Sequence, residues 1–265
     1  MLHEDYPIER FPKTITAHKH YAFYADLKTQ RYALQSVTSR TKKRALVQCG
    51  DVAIYNGGQI PARLQKEAFT LAAIRHFQPL EVRSALFVAK HLVTFWQSHT
   101  SCPSCQKGPL SIGDEGELIC KACHHAFYIP ISPAVILGIV RKGKLLVTRY
   151  ANRPYTGPAL VAGYCAVGES LEETCIREAL EETNLEIKGP FVYFGSQPWG
   201  LSNSLLMGFF VKATSRRKLI LADGELAHAD WLTPEECKSL LPQEGPISLT
   251  ATMIKAFAEG SAPID

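Results

Sequence analysis

The sequence predicts an α/β protein, because strand-like and helix-like segments alternate, a glycine-turned hairpin opens the second half, and a well-capped acidic helix follows it. At 265 residues, 46% apolar and 20% charged, the chain can bury more than one core, so several domains are expected. The formal net charge of +4 is too small an excess to argue for a nucleic-acid partner. The densest basic run, Arg40-Thr41-Lys42-Lys43-Arg44, could touch phosphate, but between two strand-like segments such a run is usually a solvated loop. No stretch reaches membrane-spanning length, and Met1-Leu2-His3-Glu4-Asp5 lacks the basic-then-apolar order of a secretory leader. Eight cysteines, four of them in tight pairs, suit metal binding better than a disulfide framework, which implies a reducing, cytoplasmic setting.

Taken in order, residues 1–98 read as a small α+β domain. Tyr21-Ala22-Phe23-Tyr24 and Ala53-Ile54-Tyr55 carry strand formers between polar turns, suggesting a small antiparallel sheet. Helices are expected over Leu64–Phe77 and Glu81–Gln97, parted by Pro79. In the second of them Val82, Leu86, Ala89 and Val93 recur at helical spacing as a core stripe. Residues 99–127 form a compact polar module, and 128–265 a third part. There Ala134–Val140 and Leu145–Thr148 flank the turn Arg141-Lys142-Gly143-Lys144, followed by a helix after Ser170, a strand over Leu205–Lys212 and a helix over Leu249–Ala258.

The module holds Cys102-x-x-Cys105 and Cys120-x-x-Cys123 with 14 residues between the pairs, a spacing that can bring four thiolates to one point. That is the pattern of a zinc ribbon, and four thiolates close the tetrahedron, which favours structural over catalytic zinc. His124 and His125 adjoin the last cysteine and are expected at the surface. A ribbon alone would leave a nucleic-acid-binding protein in contention. Cys49, Cys165, Cys175 and Cys237 read as ordinary reduced thiols.

The stretch from Gly163 to Leu185 carries the chemistry. Ser170 with Glu173 makes a capping box, and Glu172 and Glu173 suit the positive end of a helix dipole. Glu178, Glu181 and Glu182 stand at i, i+3 and i+4, so their carboxylates share one helix face. Such a face is either simply solvated or a site for a hard divalent cation, which takes oxygen ligands and is commonly shared with phosphate.

The same stretch resembles the Nudix box, G-x5-E-x7-R-E-U-x-E-E-x-G-U with U aliphatic, at Gly163, Glu169, Arg177, Glu178, Glu181, Glu182 and Leu185, with Ala179 a weak aliphatic. Asn184 replaces the second glycine. Asparagine tolerates the left-handed geometry that ends a helix, so the turn is expected to survive. The resemblance implies a Nudix α/β/α sandwich with a mixed sheet, Mg²⁺ or Mn²⁺ held by Glu178, Glu181 and Glu182, and a structural Glu169–Arg177 pair. Which glutamate would act as base is left open.

A zinc ribbon directly ahead of that box, and Ser196-Gln197-Pro198-Trp199 after it, resemble the NADH pyrophosphatase subfamily. There the signature continues Pro-Phe-Pro-x-Ser, whereas this chain reads Gly200-Leu201-Ser202-Asn203-Ser204 and keeps only the final serine. Losing two prolines should loosen the loop and raise the ordering cost of binding. The resemblance implies substrate contacts from Tyr128, Tyr164, Gln197, Trp199 and Ser204, a further metal ligand at Glu225, and a homodimer. For the aromatic residues plain packing is the competing role. Three functions follow: hydrolysis of NADH or NAD⁺ to nicotinamide mononucleotide and AMP; the same chemistry on another nucleoside diphosphate derivative or on NAD-capped RNA; or nucleotide sensing or nucleic-acid binding without cleavage, which would have no need of three metal-binding carboxylates.

Overall fold

Unbroken burial along the longest strand of the second half, with Val135, Leu137 and Ile139 facing one way and Ile136 and Val140 the other, requires cover on both sides of its sheet. The computed structural model describes residues 20–37, 47–49, 52–76, 80–153, 155–214, 217–221, 224–241 and 248–264. The Arg40–Arg44 run, the first residues and Pro79 lie outside them. The described residues fall into two compact units, one built from Ile131–Trp199 and Ser204–Asp265, the other from the residues up to Pro130 together with Gly200–Asn203.

The unit ending at Pro130 contains a five-stranded sheet of β1 (His20–Asp26), β2 (Arg31–Val37), β3 (Val47–Cys49), β4 (Val52–Gly58) and β5 (Phe69–Thr70), in the order β3-β4-β1-β2-β5. It is not wholly antiparallel: β1 and β4 run parallel. The helix expected over Leu64–Phe77 is instead two 3₁₀ turns, Ala62–Glu67 and Leu71–His76. Between them Phe69 and Thr70 pair with Tyr32 and Arg31 as β5, so tertiary strand pairing overrides the local helical pattern. The helix α1 (Leu80–Ser98) forms as expected, and Val82, Leu86, Ala89 and Val93 are fully buried against Phe23, Tyr32 and Ile54. Three short strands, β6 (Leu110–Ile112), β7 (Leu118–Cys120) and β8 (Ala126–Phe127), form the cysteine module. Trp96 of α1 donates its indole N–H to the Gly116 carbonyl in its β6–β7 turn at 2.8 Å.

The other unit is an α/β/α sandwich. Its sheet comprises β9 (Ser132–Arg141), β10 (Lys144–Tyr150), β11 (Val161–Tyr164), β12 (Val192–Trp199), β13 (Ser204–Lys212) and β14 (Leu226–Leu232). The order is β12-β13-β9-β10-β14, with β11 added antiparallel to β9; β13 runs parallel to β9, so the sheet is mixed as expected. On one face α2 (Leu171–Thr183) buries Cys175 and Ala179 against Val135, Leu137, Val161 and Phe209. On the other, beyond the short α3 (Pro234–Lys238), α4 (Leu249–Ala258) buries Met253, Ile254 and Phe257 against Ile136, Val140 and Phe210. Gly138 lets the Phe210 ring lie across β9, since a Cβ there would meet it at 2.4 Å. Among the described residues no helix is long and apolar enough to cross a membrane.

Candidate active site

The acidic helix begins where its capping box places it: Ser170 accepts from the Glu173 N–H at 3.2 Å, and Glu173 accepts from the Ser170 N–H at 2.8 Å. It ends at Asn184, left-handed at φ 59° and ψ 18°, so asparagine fills the glycine position as expected, and its amide donates to the Lys218 carbonyl at 3.2 Å. Glu169 and Arg177 form a bidentate pair at 2.6 and 2.8 Å. Hydrogen bonds from Arg177, and the Ala166 N–H, hold the Glu169 carboxyl down at about 2.

Arg177 reaches further. Its Nη1 lies 2.6 Å from Glu178 and 3.0 Å from Glu181, while its Nη2 donates to the Tyr164 carbonyl at 2.9 Å. One guanidinium thus ties the strand β11 to the helix α2 and orients two of the three box carboxylates. Glu178 and Glu182 are buried, 9% and 4% exposed, whereas the Glu181 side chain is mostly in solvent. Gly163 makes room for this: a Cβ there would fall 1.9 Å from the Glu178 carboxyl. Burial first, and then the neighbouring carboxylates Glu181 and Glu225, push the Glu178 carboxyl up despite Arg177. A carboxylate carried to the inside of a fold among other carboxylates is the arrangement that a divalent cation relieves, and all the donors are the hard oxygens that Mg²⁺ or Mn²⁺ takes.

Glu225, in the turn before β14, joins this cluster. The register that sets Tyr150 opposite Leu226, and the bond from the Ala151 N–H to the Glu225 carbonyl at 2.8 Å, bring the end of β10 beside it. Tyr150, whose hydroxyl burial pushes up, stands within the field of both Glu182 and Glu225. Arg153 lies over the Tyr150 ring at 4.1 Å and 3.5 Å from the Glu225 carboxylate. Neither Tyr150 nor Arg153 was signalled by the sequence, since a β10–β14 pairing far apart in the chain puts them there.

Of the expected substrate residues, Tyr164 is 53% exposed on β11, and its hydroxyl accepts from Ser204 Oγ at 3.3 Å, so those two come together. Gln197 accepts the Leu249 N–H at 2.7 Å, which satisfies the start of α4, and Trp199 closes β12. Tyr128 is 68% exposed and belongs to the unit ending at Pro130. The Gly200–Asn203 turn clusters with that unit as well. A Cβ on Gly200 would meet Phe87 at 2.2 Å, and Lys90, buried on α1, donates to Asn203 Oδ1 at 2.9 Å and to the Gly200 carbonyl at 3.4 Å. The turn that lost its prolines is therefore pinned by a lysine.

The four paired cysteines converge, their sulfurs all within 4.8 Å of one another. Cys102 and Cys123, and likewise Cys105 and Cys120, are 3.7 Å apart, too long for a disulfide bond. About 3.8 Å is the edge of a tetrahedron with zinc–sulfur bonds of roughly 2.3 Å. The Cys123 N–H first, and the Ala122 N–H, donate to Cys120 and help bring its thiol down to about 6. Gly108 is required where it stands, because a Cβ would meet the Cys120 sulfur at 2.6 Å. His124 and His125 are exposed, as expected, and Cys175 and Cys237 are buried thiols pushed up by that burial to about 12 and about 11.

Comparison with known proteins agrees with both halves. Residues 131–251 match the NUDIX domain and residues 101–130 the Trm112p-like proteins. The NAD-capped RNA hydrolase NudC of Mannheimia succiniciproducens is 34% identical over 175 residues, 62% of this chain and 64% of that protein. Its counterpart in Actinobacillus succinogenes is 36% identical over 163 residues, 58% of this chain and 61% of that protein. The match thus spans less than two thirds of either relative. A solved NUDIX hydrolase from Nitrosomonas europaea superposes with a TM-score of 0.49 at 18% identity, over 63% of this chain and 97% of that one.

Proposed function

Because residues 131–251 match the NUDIX domain, we propose that this chain is a divalent-metal-dependent pyrophosphohydrolase that splits NADH or NAD⁺ with water into AMP and nicotinamide mononucleotide, reduced in the case of NADH. The observation that carries the reading is the buried Glu178 carboxylate, cradled at Gly163 and within the field of Glu225, with Glu182 buried on the same helix. Glu178, Glu181, Glu182 and Glu225 would hold Mg²⁺ or Mn²⁺. A cation held there would supply charge to neutralise the diphosphate oxygens and would lower the pKa of a bound water. Arg177 keeps Glu178 and Glu181 aimed from one side, and Glu169 fixes Arg177 in turn. Tyr164, steadied by Ser204, offers a ring face on which a base can stack. Tyr128, Gln197 and Trp199 complete the substrate contacts that the subfamily resemblance implies. The three-part division at 98/99 and 127/128, structural zinc on Cys102, Cys105, Cys120 and Cys123, and a cytoplasmic setting belong to the same reading.

A second substrate is favoured by the names of the relatives, which are hydrolases of NAD-capped RNA. Incubating the protein with NADH, NAD⁺, ADP-ribose, diadenosine diphosphate and RNA bearing a 5′ NAD cap, with Mg²⁺ or Mn²⁺ and with neither, separates the possibilities. AMP together with nicotinamide mononucleotide from NAD⁺, or its reduced form from NADH, are the expected products. Release of nicotinamide mononucleotide from capped RNA at a higher kcat/KM would make RNA the substrate, and no metal-dependent product from any of them would leave a sensing role. The subfamily resemblance also implies a homodimer, for which light scattering on the same preparation should give twice the chain mass of 29.3 kDa.

A further inference from the structure

We propose that Arg153 is the residue that grips the diphosphate of the substrate, turning to it from Glu225 as that carboxylate takes a divalent cation; this rests on the hydrolase reading above. Two contacts hold its guanidinium at the cluster: the Tyr150 ring, 4.1 Å from Arg153 Cζ, and the Glu225 carboxylate, 3.5 Å from Nη2. Tyr150 itself lies within the field of Glu182 and Glu225, and the cation of Arg153 faces Glu225, one of the carboxylates that would carry the metal. Its ion pair is longer than a hydrogen bond and both side chains are half exposed, which makes it an interaction of little strength and easily exchanged.

With a cation held by Glu225, the guanidinium would lose its counter-ion and be left to find another anion. A planar fork of donors matches two phosphate oxygens, and stacking on Tyr150 already limits the rotamers it must give up. Arg177 cannot fill the role, because Glu169, Glu178, Glu181 and the Tyr164 carbonyl take up its donors. The exchange also orders events: while the site is empty, Arg153 screens the acidic cluster, and when it is metal-loaded, Arg153 turns to the anionic substrate.

The test uses the full chain with Arg153→Gln and Arg153→Lys, NAD⁺ as substrate and Mn²⁺ as metal. Arg153→Gln should raise the KM for NAD⁺ about tenfold, the worth of a charged hydrogen bond, with kcat held within about threefold. Arg153→Lys should restore part of the loss. In substrate-free protein, Mn²⁺ titration followed by electron paramagnetic resonance should show affinity in Arg153→Gln higher by about threefold, since the competitor for Glu225 is gone. A merely structural arginine would not move KM and metal affinity in those two directions. An unaltered KM, or weaker Mn²⁺ binding, overturns the proposal. A wild-type protein inert toward every dinucleotide overturns the hydrolase reading instead, while the Mn²⁺ titration still reports whether Arg153 competes for the carboxylate.

Discussion

Glu182→Gln is expected to lower kcat on NAD⁺ by about 10²–10³-fold, the cost of removing one preorganised electrostatic group from a water-poor site, while leaving the metal-free fold as stable as before or more so. Glu182 is 4% exposed, and its carboxylate and that of Glu225 both act on the buried Tyr150 hydroxyl. Burying a charge in such company is unfavourable unless a cation compensates it. The glutamine is close in volume, so the packing around α2 survives, and the metal-free protein is relieved of one buried negative charge. The two readouts therefore part: turnover and Mn²⁺ affinity fall, and the thermal midpoint without metal holds or rises. Turnover within a few-fold of wild type would show that this carboxylate holds no catalytic metal and would move the site elsewhere. A steep fall in the midpoint would mean that Glu182 serves the fold, and the loss of activity would then say nothing about chemistry.

Much of this arrangement is legible in the chain because its causes are local. The capping box at Ser170, the left-handed turn at Asn184 and the Glu169–Arg177 clasp each depend on residues within a few turns of one helix. The apolar run of β9, read as one arm of a glycine-turned hairpin with β10, is equally local. What escaped the sequence depends on pairings between distant segments. The 3₁₀ turns at Ala62–Glu67 and Leu71–His76 replace a helix because Phe69 finds Tyr32, far back in the chain. Arg153 and Tyr150 reach the carboxylates only through the β10–β14 register. Lys90 looks like one more polar position on α1 until the Gly200–Asn203 turn is set against it, and then it explains how a loop without prolines can stay ordered. The direction of Arg177 was half legible: its tie to Glu169 follows from the box, but its simultaneous hold on Glu178 and Glu181 needed the backbone of α2 in place.

The cysteine module should depend on its metal more completely than any other part of the chain depends on a single residue. Three strands of two or three residues each, with Leu118 the deeply buried aliphatic side chain among them, cannot bury enough apolar surface to stand alone. Zinc held by four thiolates contributes about 10–16 kcal/mol in comparable small modules, and in them metal binding and folding are one event. Purified protein should accordingly carry one zinc per chain by atomic emission. Cys120→Ser should abolish that zinc and expose the 101–130 segment to proteolysis, because Cys120 takes two backbone N–H bonds and packs against Gly108 as well as facing the metal. Cys175→Ser is the control: its thiol is as deeply buried as that of Cys120 but sits on the inner face of α2, so the variant should lose some stability and keep its zinc. If Cys120→Ser retained zinc and resisted the protease, the convergence of the four sulfurs would be thiol packing rather than a metal site. If zinc went but dinucleotide hydrolysis with Mg²⁺ continued at its full rate, the ribbon would be confined to a structural or binding role apart from the chemistry, as closed four-cysteine coordination requires.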